Sequence, residues 1–128
     1  MMERITGIGG FFFRGKNPQL LADWYEIHLG IPKVPKSYED CPWWQEEGST
    51  IIHSFTKEDS YFGRHNKPWV INFRVKDLDA MVLQLKNADI DVEVDLEKYP
   101  NGRFAYLKDP EENPIQLWEV CGTELKRP

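Results

Sequence analysis

The feature that most constrains this 128-residue chain is an internal repeat. Sliding the sequence against itself by 60 positions lays Phe13-Arg14-Gly15-Lys16-Asn17 over Phe73-Arg74-Val75-Lys76-Asp77. Each copy runs into an apolar stripe at three-and-four spacing: Leu20, Leu21, Trp24, Ile27 and His28 in the first, Met81, Val82 and Leu85 in the second. That period is helical. Asn17 and Asp77 are natural N-caps, because a short side-chain oxygen reaches the first free amides, and Pro18 sits where a missing N–H costs nothing. Gly30 supplies a left-handed stop for the first helix, while Asn87 to Asp89 ends the second less cleanly.

Strand patterns rich in aromatic and β-branched residues precede each helix, at 10–13 and 69–73. Three shorter ones follow each: 33–37, 43–46 and 50–55 in the first half, 91–95, 103–107 and 114–119 in the second. The turns between them are written in Glu47-Gly48-Ser49, Pro100-Asn101-Gly102 and Asp109-Pro110-Glu111-Glu112-Asn113-Pro114. The chain therefore reads β-α-β-β-β twice within a single domain. Module 1 spans about 5–56, a connecting segment 57–67, module 2 about 68–120, and a polar tail 121–128. The expected fold is α+β: the two modules pair into one curved mixed sheet, with helices on the outer face and a ligand cleft on the inner face.

Strand alternation assigns the faces. Phe11 with Phe13, Ile71 with Phe73, and Ile115 with Leu117 belong under the helices. Gly10 and Phe12, His53 and Phe55, Val70 and Asn72, and Gln116 and Trp118 belong to the cleft. A cleft walled by aromatic rings with a few convergent polar groups suits a small organic molecule.

Charge and composition exclude several classes. Sixteen Lys and Arg against 21 Asp and Glu give a net charge of −5, which repels a nucleic-acid backbone and mildly favours a cationic guest. Cys41 and Cys121 lie far apart without a metal-binding spacing, so they are expected to be reduced thiols. No apolar run approaches the roughly 18 residues that span a bilayer, and the N-terminus lacks a secretory pattern; a cytoplasmic protein without a membrane partner is expected. Gly7-Ile8-Gly9-Gly10 lies before a strand rather than between strand and helix, so it is no phosphate cradle, and no GxSxG is present.

The paired strand-helix openings, the helix from Ala22-Asp23-Trp24-Tyr25 to His28-Leu29-Gly30, and the ending Asp109-Pro110-Glu111-Glu112-Asn113-Pro114-Ile115-Gln116-Leu117-Trp118-Glu119 resemble the vicinal oxygen chelate superfamily. That superfamily includes glyoxalase I, bleomycin-resistance proteins and extradiol dioxygenases, and the resemblance covers nearly the whole chain. It implies metal-ligand positions at Gly10, His53, Val70 and Gln116. Of these only His53 is a convincing ligand, since Gly10 and Val70 offer no donor atom and Gln116 offers a neutral amide. No cofactor is therefore expected. A divalent metal held by a shifted set of His53, His65 and Glu119, with His65 in a connecting segment that folds over the cleft, is the rival arrangement; His53, Gln116 and Glu119 are the metal-ligand candidates.

The candidate site follows. His53 is the candidate catalytic base or hydrogen-bond donor, or else a histidine held by a backbone carbonyl. Phe12, Phe55 and Trp118 form aromatic walls. Asn72 and Gln116 either orient a ligand carbonyl or satisfy each other across strands. Arg103 either pairs with an anionic substrate or is a sheet-edge arginine. Tyr61 and Tyr99 can cap the cleft, and Trp43-Trp44 can form its rim or a dimer contact. The leading expectation is a small-molecule-binding protein with a degenerate metal site, acting as a homodimer. The alternatives are a metal-dependent lyase, isomerase or dioxygenase with an atypical ligand set, and an interaction module.

Overall fold

The computed structural model describes residues 2–59 and 67–121. Tyr61, His65 and the tail after Cys121 lie outside the described residues. Elements follow in the order α1 (Pro18–Leu29), β1 (Ile71–Arg74), α2 (Leu78–Asn87), β2 (Glu93–Val94), β3 (Gly102–Lys108) and β4 (Pro114–Val120). The strands form one mixed sheet in the order β1-β4-β3-β2, with β1 parallel to β4 and the other pairs antiparallel.

Both helices start where a side chain can replace a missing intrahelical partner. Asn17 Oδ1 accepts from the Leu20 amide at 3.1 Å, and Asp77 Oδ1 accepts from the Ala80 amide at 3.0 Å. Helix α1 stops at Gly30, whose φ of 71° is left-handed; its amide donates to the Glu26 carbonyl and the Ile31 amide reaches back to that of Tyr25. Helix α2 ends through Asp89, a non-glycine residue at φ 60°, which aspartate tolerates better than bulkier side chains.

The core lies between α2 and the sheet. Leu78, Val82 and Leu85 on one stripe of α2 pack on Ala105 and Leu107 of β3 and on Ile115 and Leu117 of β4. Period two in the strands and 3.6 in the helix meet there as expected. Trp24, Tyr25 and Leu29 of α1 close the cluster's margin.

The first half departs from expectation. Among the described residues, 10–13, 33–37, 43–46 and 50–55 form no strand; α1 is the regular element of this half. A strand exists through its ladder, and a segment that does not pair has no such hydrogen bonds to hold it. The outer side of β1, an edge of the sheet, takes none of these segments. The alternation of 10–13 nevertheless survives: Phe11 and Phe13 lie 5.0 and 6.0 Å from Trp69, whereas Phe12 is 91% exposed.

Candidate functional site

The sheet face away from α2 carries two rows of side chains, because residues in register on neighbouring strands project to the same side. The first row is Asn72 on β1, Gln116 on β4, Tyr106 on β3 and Glu93 on β2. The second places Arg74 beside Trp118 and Phe104, with Asp95, whose amide donates to the Phe104 carbonyl, beyond them.

Hydrogen bonds tie the first row together. Asn72 Nδ2 donates to Gln116 Oε1 at 2.7 Å, and Gln116 Nε2 donates to the Tyr106 hydroxyl at 3.2 Å. Gln116 is buried, so these bonds supply partners that water cannot. The mutual satisfaction of Asn72 and Gln116 expected from sequence is thus the arrangement found, with Tyr106 extending it.

Aromatic rings build the second row. Phe104 and Trp118 are stacked at 6.1 Å with 8° between planes, and Tyr99 meets Phe104 edge-on at 5.8 Å. Trp118 is buried and its Nε1–H donates to the Asn101 carbonyl at 2.9 Å, which fixes the indole. Tyr99 donates to Asp95 Oδ2 at 2.8 Å, and that hydrogen bond is the main reason its hydroxyl is less acidic than usual. Phe104, Tyr106 and Arg74 are half-buried, and Asn72 is exposed, so they are the accessible part of this face.

Other candidates lie elsewhere. Arg103 and Glu119 occupy the opposite face: Arg103 makes a bidentate pair with Asp79 of α2, and Glu119 Oε1 accepts from the Leu78 amide at 2.8 Å. Arg103 therefore acts as a helix-side arginine, not a cleft one, because its parity in β3 is that of Ala105 and Leu107. Phe12 projects into solvent rather than walling the face. His53 is exposed with its ring edge-on to Phe55 at 4.6 Å, and the structure does not join it to the Gln116 row.

These positions do not fit a resident divalent ion. Gln116 is engaged as an amide, Val70 and Gly10 have no donor side chain, and Glu119 faces the far side of the sheet from Gln116. Among the described residues no three His, Cys, Asp or Glu side chains converge.

Sequence reasoning missed Arg74, Phe104 and Tyr106. Ending the first strand of module 2 at Phe73 hid Arg74, and no face was assigned to the residues of β3. Continuing the alternation from Asn72 finds Arg74, whereas Phe104 and Tyr106 emerge only once β3 is set in register with β4. A separate groove of about 1150 Å³ opens at the end of the sheet between Trp24, residues 89–93 and the β3–β4 turn. It shares only Tyr106 and Glu93 with the two rows.

No protein-family profile and no curated protein matches this sequence. Solved structures do. An antibiotic-binding protein, TnmS3 from Streptomyces sp. CB03234, superposes over 94% of this chain and 100% of its own, with a TM-score of 0.61 at 17% identity. A putative glyoxalase family protein from Bacillus anthracis covers 80% of this chain and 84% of its own, with a TM-score of 0.50 at 17% identity. At such identities the likeness establishes the architecture: this chain has the α+β fold seen in antibiotic-binding and glyoxalase-family proteins.

Proposed function

We propose that this protein binds a small organic molecule on the sheet face formed by Asn72, Arg74, Phe104, Tyr106, Gln116 and Trp118, without a resident metal. The observation that carries the reading is the commitment of Gln116. At a position where the resemblance calls for a metal ligand, its carboxamide is held by Asn72 and Tyr106 beside a stacked aromatic pair. Oriented amides and rings recognise carbonyl-bearing planar guests by hydrogen bonding and stacking. The shared fold with an antibiotic-binding protein supports the same reading.

We further propose that the working unit is a homodimer. The outer edge of β1, which no strand among the described residues pairs, and the exposure of Phe12, Trp44 and Ile52 (91%, 84% and 83%) offer a pairing edge and apolar surface. A second copy would cover that surface and bring His53, Phe12 and Phe55 to the trough. Light scattering across a concentration series should give twice the chain mass; a monomer at every concentration removes this part of the reading. The free thiols Cys41 and Cys121 accord with a cytoplasmic setting, and no helix among the described residues is long and apolar enough to cross a membrane.

Thermal-shift and calorimetric screening with polycyclic aromatic compounds, run in EDTA, tests the function. A specific guest raises the melting temperature by mass action, by about 2.7 kcal/mol of stability at a hundred times its dissociation constant. Binding that needs an added divalent ion, or no binding at all, overturns the reading.

A further inference from the structure

We infer that the sheet face selects anionic aromatic ligands, a planar ring system bearing a carboxylate, through the guanidinium of Arg74. The inference rests on the binding face proposed above and names the class of its guest. Arg74 lies in register with Trp118, two positions along β1 from Asn72, so a molecule lying on Phe104 and reaching toward Asn72 meets its guanidinium. The side chain is half-buried. Its acceptor among the described residues is the backbone carbonyl of Glu46, at 3.1 Å from Nη2, and no carboxylate among them pairs with it.

A guanidinium carries five N–H donors in a fixed fork, and one neutral carbonyl leaves that fork without the anion it matches best. The segment 46–48 lies against it: the Glu46 carbonyl accepts from Nη2, and Gly48, lacking a Cβ, lets the backbone approach the guanidinium closely. Ser49, next in the chain, has a buried hydroxyl with no hydrogen-bond partner.

Glu46 and Glu47 lie on the segment against Arg74, but neither carboxylate pairs with its guanidinium among the described residues, and the acidic side chains of the strands on this face lie farther off. Asp95 ends the row of Arg74 three strand spacings away, about 14 Å, beyond the roughly 8 Å screening length at physiological salt. It is also occupied by the Tyr99 hydroxyl and the Glu97 amide. Glu93 lies at the same far edge. The net charge of −5 acts over the whole molecule, but the charged side chain that β1 itself places on this face is the guanidinium of Arg74.

The test compares 2-naphthoate, its neutral amide 2-naphthamide and the cation 2-naphthylmethylammonium by calorimetry. Wild type should bind the carboxylate at least about tenfold more tightly than the amide, as charge-assisted bonds allow, and the cation more weakly still. The preference should shrink as salt rises. Arg74→Gln should weaken the carboxylate far more than the amide, so that the anion preference is lost, and Arg74→Lys should retain part of it. Asn72→Asp, which leaves Arg74 and the segment over it intact, should weaken the carboxylate more than the amide. Melting curves check that each variant folds. Equal binding of the three probes by wild type, or a preference that survives Arg74→Gln, overturns the inference while the binding face stands. Binding of none of the three overturns both.

Discussion

The Tyr25 hydroxyl donates a 2.7 Å hydrogen bond to Oδ2 of Asp109, joining α1 to a turn 84 residues further along the chain. The same carboxylate accepts from the Asn113 side chain at Oδ2 and from the Glu111 and Asn113 amides at Oδ1, so four donors surround a buried charge. The turn so fixed presents Glu111 to the Lys16 and Asn17 amides, at 2.6 and 2.9 Å, ahead of the first turn of α1. The Asp109 to Pro114 motif is thus a clamp between the two halves of the chain, and not part of the ligand face.

Tyr25→Phe removes one of the four donors and leaves three. The expected cost is about 1 kcal/mol, the ordinary net value of such a bond. A urea titration should show a lower midpoint with an unchanged slope. Burial, with the hydrogen bond to Asp109 second, raises the Tyr25 hydroxyl well above its ordinary value of 10.0. The unfolded chain therefore ionises first, and the contribution present below about pH 10 declines as pH rises above it. The gap between wild type and Tyr25→Phe should narrow over that alkaline interval; a constant gap contradicts the assignment.

Glu111 sets the acid side. The Asn17 amide, then that of Lys16, holds its carboxyl below the ordinary value of 4.5. A lowered folded value means that the unfolded state takes up the proton first, so the contribution is complete above about pH 4.5 and is lost as pH falls through the folded value. Wild type should melt above Glu111→Gln at neutral pH, and the two curves should converge in acid. Parallel curves down to about pH 2 would remove the capping role.

Much of the second half was legible because each local signal agreed with its neighbours. Asp77 opens a helix whose Val82 and Leu85 match Ile115 and Leu117 in both period and facing. The central position of β4 was not legible: pairing order depends on contacts between residues 44 apart in sequence, such as Asn72 and Gln116. In the first half, Phe11 to Phe13 alternate as a strand should, yet alternation states which side a residue faces and not what it pairs with. The face of Arg103 stayed open for a related reason, since a shift of one residue reverses a strand.

Gly30→Ala isolates a purely conformational cost. No atom lies within 4 Å of the Cβ it would add, so sterics beyond the residue itself contribute nothing. At φ 71° the penalty should be about 1 kcal/mol. Gly30→Asn should lose less, because asparagine enters the left-handed region more readily. Chemical denaturation of the three proteins should rank them Gly, Asn, Ala; an Ala variant as stable as wild type would mean that the helix end rearranges.

Gln116→Glu asks whether the neutral amide is what keeps a metal away. The substituted carboxylate can still accept from Asn72 Nδ2, and the Tyr106 hydroxyl can turn to donate, so the variant should fold, but at a cost above the roughly 1 kcal/mol of one hydrogen bond because the carboxylate enters a buried position. It would add one hard ligand on a face where Val70 supplies none and His53 is not joined to the row. Because a catalytic zinc site draws on about three protein ligands, neither wild type nor Gln116→Glu should gain melting temperature from zinc, nickel or manganese. The new charge should also weaken 2-naphthoate more than 2-naphthamide, since it sits diagonally across from Arg74 on the neighbouring strand. Stoichiometric metal uptake by Gln116→Glu, reversed by His53→Ala, would show that the first half closes over this face and that one amide separates this protein from a metal centre.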